Sequence, residues 1–379
     1  MHTPAATTFK PIAARPAPHQ SDGLLAVLRK NLFGSASTSI ATLLTALVFF
    51  PMLAKLLNWA LWDAVWRPDF SACHVAHGAC WGVIAEKYRF ILFGRYPFDQ
   101  QWRPLVCTLL LLGSLVISGM RACWKPWLGA LWVVVITVFF VVMHGGYGEI
   151  GGGEGSIWSL SRVDTDRWGG LPLTILLSAL SMSMAFPIAV LIALGRRSSL
   201  PAIRSICTIY IELVRGVPLI SVLFMASFMF PLLMPHGFNI DVLVRVIAGI
   251  TLFAAAYMAE VIRGGLQAIP KGQEEAAATL GLSFWQTQRA IILPQALALV
   301  VPGIVNNFIA TFKDTSLVTI VSLYELTGAM GMALNSDSDW RPFKLEGYLF
   351  IALIYFVFCF SMSRYSAWIE TQVNRSKLH

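Results

Sequence analysis

An all-α membrane protein is the fold class this sequence predicts, and three observations carry the prediction. Charged residues make up 13% of the 379 residues and hydrophobic residues 56%, whereas soluble domains carry about 25% charged residues. Mean hydropathy is +0.67. Eight apolar runs, at about 40–62, 104–120, 127–144, 171–194, 217–235, 242–261, 296–323 and 347–365, lie near the roughly 20 residues that a bilayer crossing needs. The formal charge of +8 and the pI near 9.3 do not indicate a nucleic-acid partner. The basic residues sit at the ends of the apolar runs, where membrane lipid and orientation account for them.

The first element is a polar tail, residues 1–36, expected to stay unstructured and to carry Arg29 and Lys30 up to the first run. A run beginning this late is an uncleaved span and not a signal peptide. Residues 37–168 form an N-terminal extension of about three spans with a long loop at 62–103. That loop holds Cys73-His74-x-x-His77-x-x-Cys80. The ligand types would suit zinc, but an oxidising compartment favours a disulfide between Cys73 and Cys80; free thiols are the third reading. No metal site is assigned. The other cysteines lie in or beside spans and read as small apolar residues. Gly145 to Gly155 has the composition of a flexible linker.

The second block, residues 169–370, holds five spans. Before the first of its later spans, Ile203, Ile206, Tyr210 and Leu213 recur at helical spacing over Leu200–Arg215. This predicts a helix along the membrane surface that turns at Gly216-Val217-Pro218; an extension of a spanning helix is the alternative. Glu212 with Arg215, and Glu260 with Arg263, stand three apart, close enough to pair on one helix face. Both pairs read as structural.

Residues 264–295 form a polar loop between two apolar runs. Glu274 and Glu275 open a helix at its positive end, Ala276, Ala277 and Ala278 continue it, and Gly281 can end it in a left-handed turn. Ser283 with Gln286 is a capping-box signature for a second short helix, and Pro294 marks the next span. A helix-turn-helix knob of this kind can dock in a groove of another protein. In the following span, Lys313 and Asp314 lie among Asn306, Asn307, Thr311, Thr315 and Ser316. A charge at mid-bilayer costs roughly 2.5–3.5 kcal/mol on insertion scales, so this cluster avoids lipid. Either it lines a polar path, with Asn306, Asn307, Lys313, Asp314 and Thr315 the candidates, or it braces a helix end. Residues 371–379 form a short tail.

Several motifs in fixed order resemble one family. Glu275-Ala276-Ala277, Gly281 and Ile291-x-Leu293-Pro294 match the loop by which ABC importer permeases engage their ATPase. Tyr210 to Pro218, Ala256 to Gly265, Pro270 to Gln273 and Lys313 to Leu317 resemble the polar-amino-acid permeases of that family over about residues 169–370. With its extra amino-terminal block, the chain resembles the M-type subunit of general L-amino-acid importers. The resemblance implies a type I importer transmembrane fold, ABC ATPase subunits that bind ATP and Mg, a sister permease subunit and a periplasmic amino-acid-binding protein. It also implies a multi-pass inner-membrane protein. An even span count and the larger share of Lys and Arg on the loop's side place both termini in the cytoplasm. The chain has no G-x-x-x-x-G-K-[ST] phosphate loop, no H-E-x-x-H and no G-x-S-x-G. Nothing supports an enzyme, a catalytic residue or a cofactor on this chain. The competing function is a secondary transporter driven by an ion gradient, with Lys313 and Asp314 as its relay, but it leaves the Glu275 loop unexplained.

Overall fold

The computed structural model describes residues 23–123, 125–146, 160–235 and 240–375. All regular structure among them is helical. Seven helices are long and apolar enough to cross a membrane, and an eighth crossing results if the bent pair Pro201–Gly216 and Leu219–Leu232 counts as one. The chain divides into two compact units, residues 1–65 with 71–80, and 66–70 with 81–379.

In the first unit, α1 (Leu24–Phe33) is a helix where the sequence suggested an unstructured tail. Its residues are mostly good helix formers, with no Gly or Pro among them; residues 1–22 lie outside the described residues. Helix α2 (Ala36–Leu57) starts at a capping box between Ser35 and Thr38. None of its residues is buried, the state of a helix whose solvent is lipid. It runs into a π-turn at Asn58–Trp62. Cys73 and Cys80 are joined by a disulfide with their Cα atoms 5.4 Å apart. The backbone beside Cys80 is pinned by Ala79 N–H donating to Trp59 O and Val65 N–H donating to Ala79 O, both at 2.8 Å. A short helix, α3 (Phe70–Val75), carries Cys73.

In the second unit, α4 (Gly82–Phe93), α5 (Trp102–Gly119) and α6 (Trp127–His144) are followed by α7 (Gly170–Arg196). Cys107 and Leu111 of α5, Val135, Phe139 and Met143 of α6, and Leu173, Ile175, Leu176 and Leu177 of α7 share one buried cluster. Helices from the amino-terminal extension therefore build the same core as the five later spans. Residues 147–155 of the glycine-rich stretch expected as a linker lie outside the described residues.

Helix α8 (Pro201–Gly216) meets α9 (Leu219–Leu232) at a bend of 103°. Ile203, Ile206, Ile209 and Leu213 form its exposed apolar stripe, which suits a helix lying along an interface. Helix α10 (Val242–Gln267) packs on α7 through small residues. Ala185, Ala189 and Ala193 share a buried cluster with Ala254, Ala255 and Ala259, and such residues let helix backbones approach closely. Then come α11 (Gly272–Thr279), α12 (Phe284–Thr287), a π-turn at Gln288–Ile292, and α13 (Leu293–Asp314). Helix α14 (Leu326–Asn335) precedes the last span, α15 (Lys344–Arg375).

Chain segments cross tightly where α7 begins. Gly170 has φ +65°, and its N–H donates to Tyr324 O at 3.0 Å. A Cβ there would stand 2.1 Å from Leu92 O. Only glycine fits, because the backbones themselves touch.

Candidate functional site

The loop at 264–295 folds into the compact knob its spacing implies. Glu274 and Glu275 occupy the first turn of α11. Gly281 has φ +71° with open space around it, so the turn needs glycine for its backbone and not for room. Both halves of the Ser283–Gln286 capping box are present. Ala277 is buried under the knob, while Glu275, Ala276 and Pro294 are exposed and Ile291 and Leu293 are partly buried. At the tip, Leu280 is 77% exposed, Phe284 58% and Trp285 63%. Three large apolar side chains thus stand mostly exposed on a polar knob, Phe284 and Trp285 edge to face with ring centres 5.4 Å apart.

Beneath the knob lies a cavity of about 310 Å³, lined by Leu194 and Arg197 at the end of α7, Glu274 and Ala278 of α11, Leu282 before α12, Phe284 and Thr287 of α12, and Gln288 after it. Gln288 Oε1 is buried there without a hydrogen-bond partner among the described residues. Beside it, Arg196 Nη1 donates to Glu260 Oε2 at 2.7 Å and its Nη2 to Glu212 Oε1 at 2.9 Å. Arg263 Nη2 donates to Glu260 Oε1 at 2.5 Å. Glu260 and Arg263 therefore pair within α10, as their spacing suggests. Glu212 and Arg215 do not: Glu212 reaches Arg196, and the Arg215 guanidinium lies 5.6 Å from the centre of the Tyr257 ring. The three-residue spacing permits a pair, but the end of α7 arrives closer to Glu212. Arg196 thereby joins α7, α8 and α10.

The polar cluster of α13 is divided among faces. Lys313 lies about 28 Å along the helix from Pro294, at roughly 1.5 Å per residue, so it stands far from the knob. Lys313 and Asn306 are exposed on this chain, and seven residues of spacing put them on one face. Thr315 faces inward, 0% exposed, its hydroxyl donating to Phe312 O at 2.8 Å. Thr311 is buried against Met182, while Asn307 and Asp314 are intermediate. Lys313 borders a cavity of about 610 Å³ with Ser316, Thr327, Tyr348 and Tyr355 on its walls. One cation and four hydroxyls then look onto a hollow whose remaining lining is apolar.

Sequence reading missed the acid behind that hollow. Glu325 is fully buried at the start of α14. Its Oε1 accepts Thr327 N–H at 2.9 Å and Gly328 N–H at 3.0 Å, and its Oε2 accepts the Tyr355 hydroxyl at 2.8 Å. Burial pushes its carboxyl above the usual carboxylate range, against the lowering effect of these donors. The signal was an acidic residue three places before a glycine at the head of a short helical stretch, an N-cap pattern. Arg103 was missed as well. It is 0% exposed and donates to Val142 O, Met143 O, Ser161 O and Gln100 Oε1.

Among the described residues no group of three His, Cys, Asp or Glu side chains is placed to hold a metal. The chain is 45% identical over 369 residues to "Inner membrane amino-acid ABC transporter permease protein YhdY" of Escherichia coli (strain K12), covering 96% of each chain. It is 35% identical to "Glutamate/glutamine/aspartate/asparagine transport system permease protein BztC" of Rhodobacter capsulatus, covering 96% of this chain and 97% of that one. A solved structure described as "Crystal structure of an amino acid ABC transporter with histidines" is 30% identical and covers 54% of this chain and 92% of its own, with a TM-score of 0.47. Residues 185–375 match the family described as "Binding-protein-dependent transport system inner membrane component". With a family match over half its length and relatives aligned along nearly all of it, the chain belongs to the binding-protein-dependent transport system inner membrane components, the permeases of ABC importers.

Proposed function

We propose that this permease imports amino acids, and that residues 274–294 transmit the work of a separate ATPase to its spans. The observation that carries the coupling reading is the exposed tip: Leu280, Phe284 and Trp285 form an apolar surface on a polar turn, and removing such side chains from water favours association with a partner. Glu275, Ala276, Ala277, Gly281, Ile291, Leu293 and Pro294 set the shape of that surface. ATP and Mg belong to the partner ATPase subunits. The names of the relatives support an amino-acid substrate. A sister permease subunit forms the other half of the path, and a periplasmic amino-acid-binding protein delivers the solute. Both chain termini lie in the cytoplasm, on the side of the knob.

The exposed Asn306–Lys313 face of α13 is the wall this chain gives to the path. A charged stripe is costly against lipid but suits a seam shared with a sister subunit. The Lys313 ammonium attracts the carboxylate of a passing zwitterion. An Lys313→Ala variant should lose transport while still binding the ATPase; normal uptake would remove Lys313 from the path.

The coupling role is tested by co-purifying the chain with the ATPase, comparing wild type with Glu275→Ala plus Gly281→Val. Valine at φ +71° strains the turn, while its Cβ would have no atom within 4 Å beyond its chain neighbours. Loss of the ATPase from the variant is the expected result. Equal recovery of ATPase with both forms would overturn the reading. Uptake that resists vanadate would favour the ion-gradient alternative.

A further inference from the structure

Two adjacent arginines end α7 and point their hydrogen bonds in different directions. Arg196 holds α8 and α10 through Glu212 and Glu260. Arg197 donates from Nη1 to Leu266 O at 3.0 Å, and from Nη2 to Glu274 Oε1 at 3.2 Å. Leu266 O is one of the carbonyls that the end of α10 leaves without a helical donor. Glu274 is in the first turn of the knob. One guanidinium fork therefore caps a spanning helix and holds the knob, which a lysine with a single point charge cannot do in the same way.

The rest of the attachment is slight. Gln295 Nε2 donates to Gln273 Oε1 at 3.4 Å; these two are the polar side-chain links between α11 and the spanning helices among the described residues. The cavity of about 310 Å³ lies directly below, with Arg197 and Glu274 on its rim. On the cavity side α11 has no packed neighbour; Ala277 packs inward on the other, and these two bonds are the polar side-chain hold on its angle.

From this arrangement we infer that Arg197 is a positioning residue of the transport cycle: through Glu274 it sets the angle of the knob against α7 and α10, so that a push on the knob moves both helices together. This inference rests on the coupling reading above. Glu274 precedes the Glu-Ala-Ala triplet and faces its own chain, so it is a link inside the permease and not part of the ATPase contact. The Arg197 side chain is 33% exposed and that of Glu274 42%. Ion pairs this exposed are individually weak, so the link biases the knob's angle and does not lock it.

The experiment uses the complete importer reconstituted in lipid vesicles, reading solute imported per ATP hydrolysed. Glu274→Ala should lower that ratio by about two- to five-fold, with the ATPase still bound and the complex still eluting as one species. Arg197→Ala should lower it at least as far, since it also removes the bond to Leu266 O, and the double variant should be no worse than Arg197→Ala, because the two changes share one ion pair. Arg197→Lys should fall between wild type and Arg197→Ala. An unchanged ratio in Glu274→Ala, or additive losses in the double variant, would overturn the inference. Glu275→Ala plus Gly281→Val is the control for the underlying reading. If that variant keeps its ATPase, the coupling role fails and the positioning role falls with it. If it loses the ATPase while Glu274→Ala keeps an intact ratio, only the positioning role fails.

Discussion

Two sets of charges in the second unit are held in opposite ways. Arg103, against the end of α6, and Glu325, beside the first turns of α7, are completely buried and bonded to neutral groups: backbone carbonyls and an amide for the arginine, backbone N–H groups and hydroxyls for the acid. At the last turn of α7, Arg196 and Arg197 are partly exposed and bonded to carboxylates. A buried charge without its donors or acceptors is costly, so the first arrangement is all-or-none. An exposed ion pair contributes at most about 1 kcal/mol and can open and reclose. The first arrangement resists change; the second tolerates it.

The sharpest way to break this comparison is Arg103→Leu. It leaves Val142 O and Ser161 O without their donor, while Met143 O keeps the Tyr96 hydroxyl. With about 1–3 kcal/mol lost per buried unsatisfied group, we expect little monodisperse protein by size-exclusion chromatography in detergent. A normal elution profile would show that the buried set tolerates more than its bonding implies.

Glu325→Ala comes next. Losing the cap of α14 and the partner of Tyr355 should cost about 2–4 kcal/mol, read as a lower thermal midpoint. The pH dependence has a definite sign. Burial raises the Glu325 carboxyl above its usual range in the folded state. Its contribution is therefore complete below the ordinary carboxylate range and lost as pH rises through the raised value. Glu325→Gln should flatten that decline. A wild-type midpoint that rises over the same interval would contradict it.

At the knob, Gly281→Val acts on backbone strain alone, roughly 1–2 kcal/mol for a side chain forced into the left-handed region. The midpoint of the whole protein should barely change, while ATPase recovery falls. The smallest effect belongs to Lys87 and Asp337, paired at 2.8 Å. Lys87 holds the Asp337 carboxyl below its usual value, so what the pair contributes is present above the ordinary carboxylate range and fades as pH falls. Asp337→Asn should leave the midpoint within error at neutral pH and high salt.

The same contrast explains what the sequence revealed. Apolar length shows where helices cross, and the knob was legible residue by residue because its caps, dipole charges and glycine turn are local. The partner of Glu212 was not legible, since local spacing offered Arg215 and tertiary packing supplied Arg196. Nor was the division of the α13 cluster: Thr315 turns inward and Lys313 outward according to where α7 and α15 lie. Nothing local marks Glu325 or Arg103 as buried; their partners come from other segments once the chain closes around them. The helix at 24–33 follows from its own run of helix formers and not from the polar, proline-containing composition of the tail as a whole.

The π-turn at Gln288–Ile292 has a consequence for phase. An α-helix advances about 100° per residue, and a π-turn holds one residue more than a regular turn. That extra residue sets the rotation of everything beyond it relative to the knob. Deleting one residue there would leave the caps of the knob and the length of the span, shorten the spacing from Gly281 to the Leu293-Pro294 junction, and swing the Asn306–Lys313 stripe about a quarter turn around its axis. The permease would keep its parts and lose their alignment, as a camshaft does when its timing slips by one tooth.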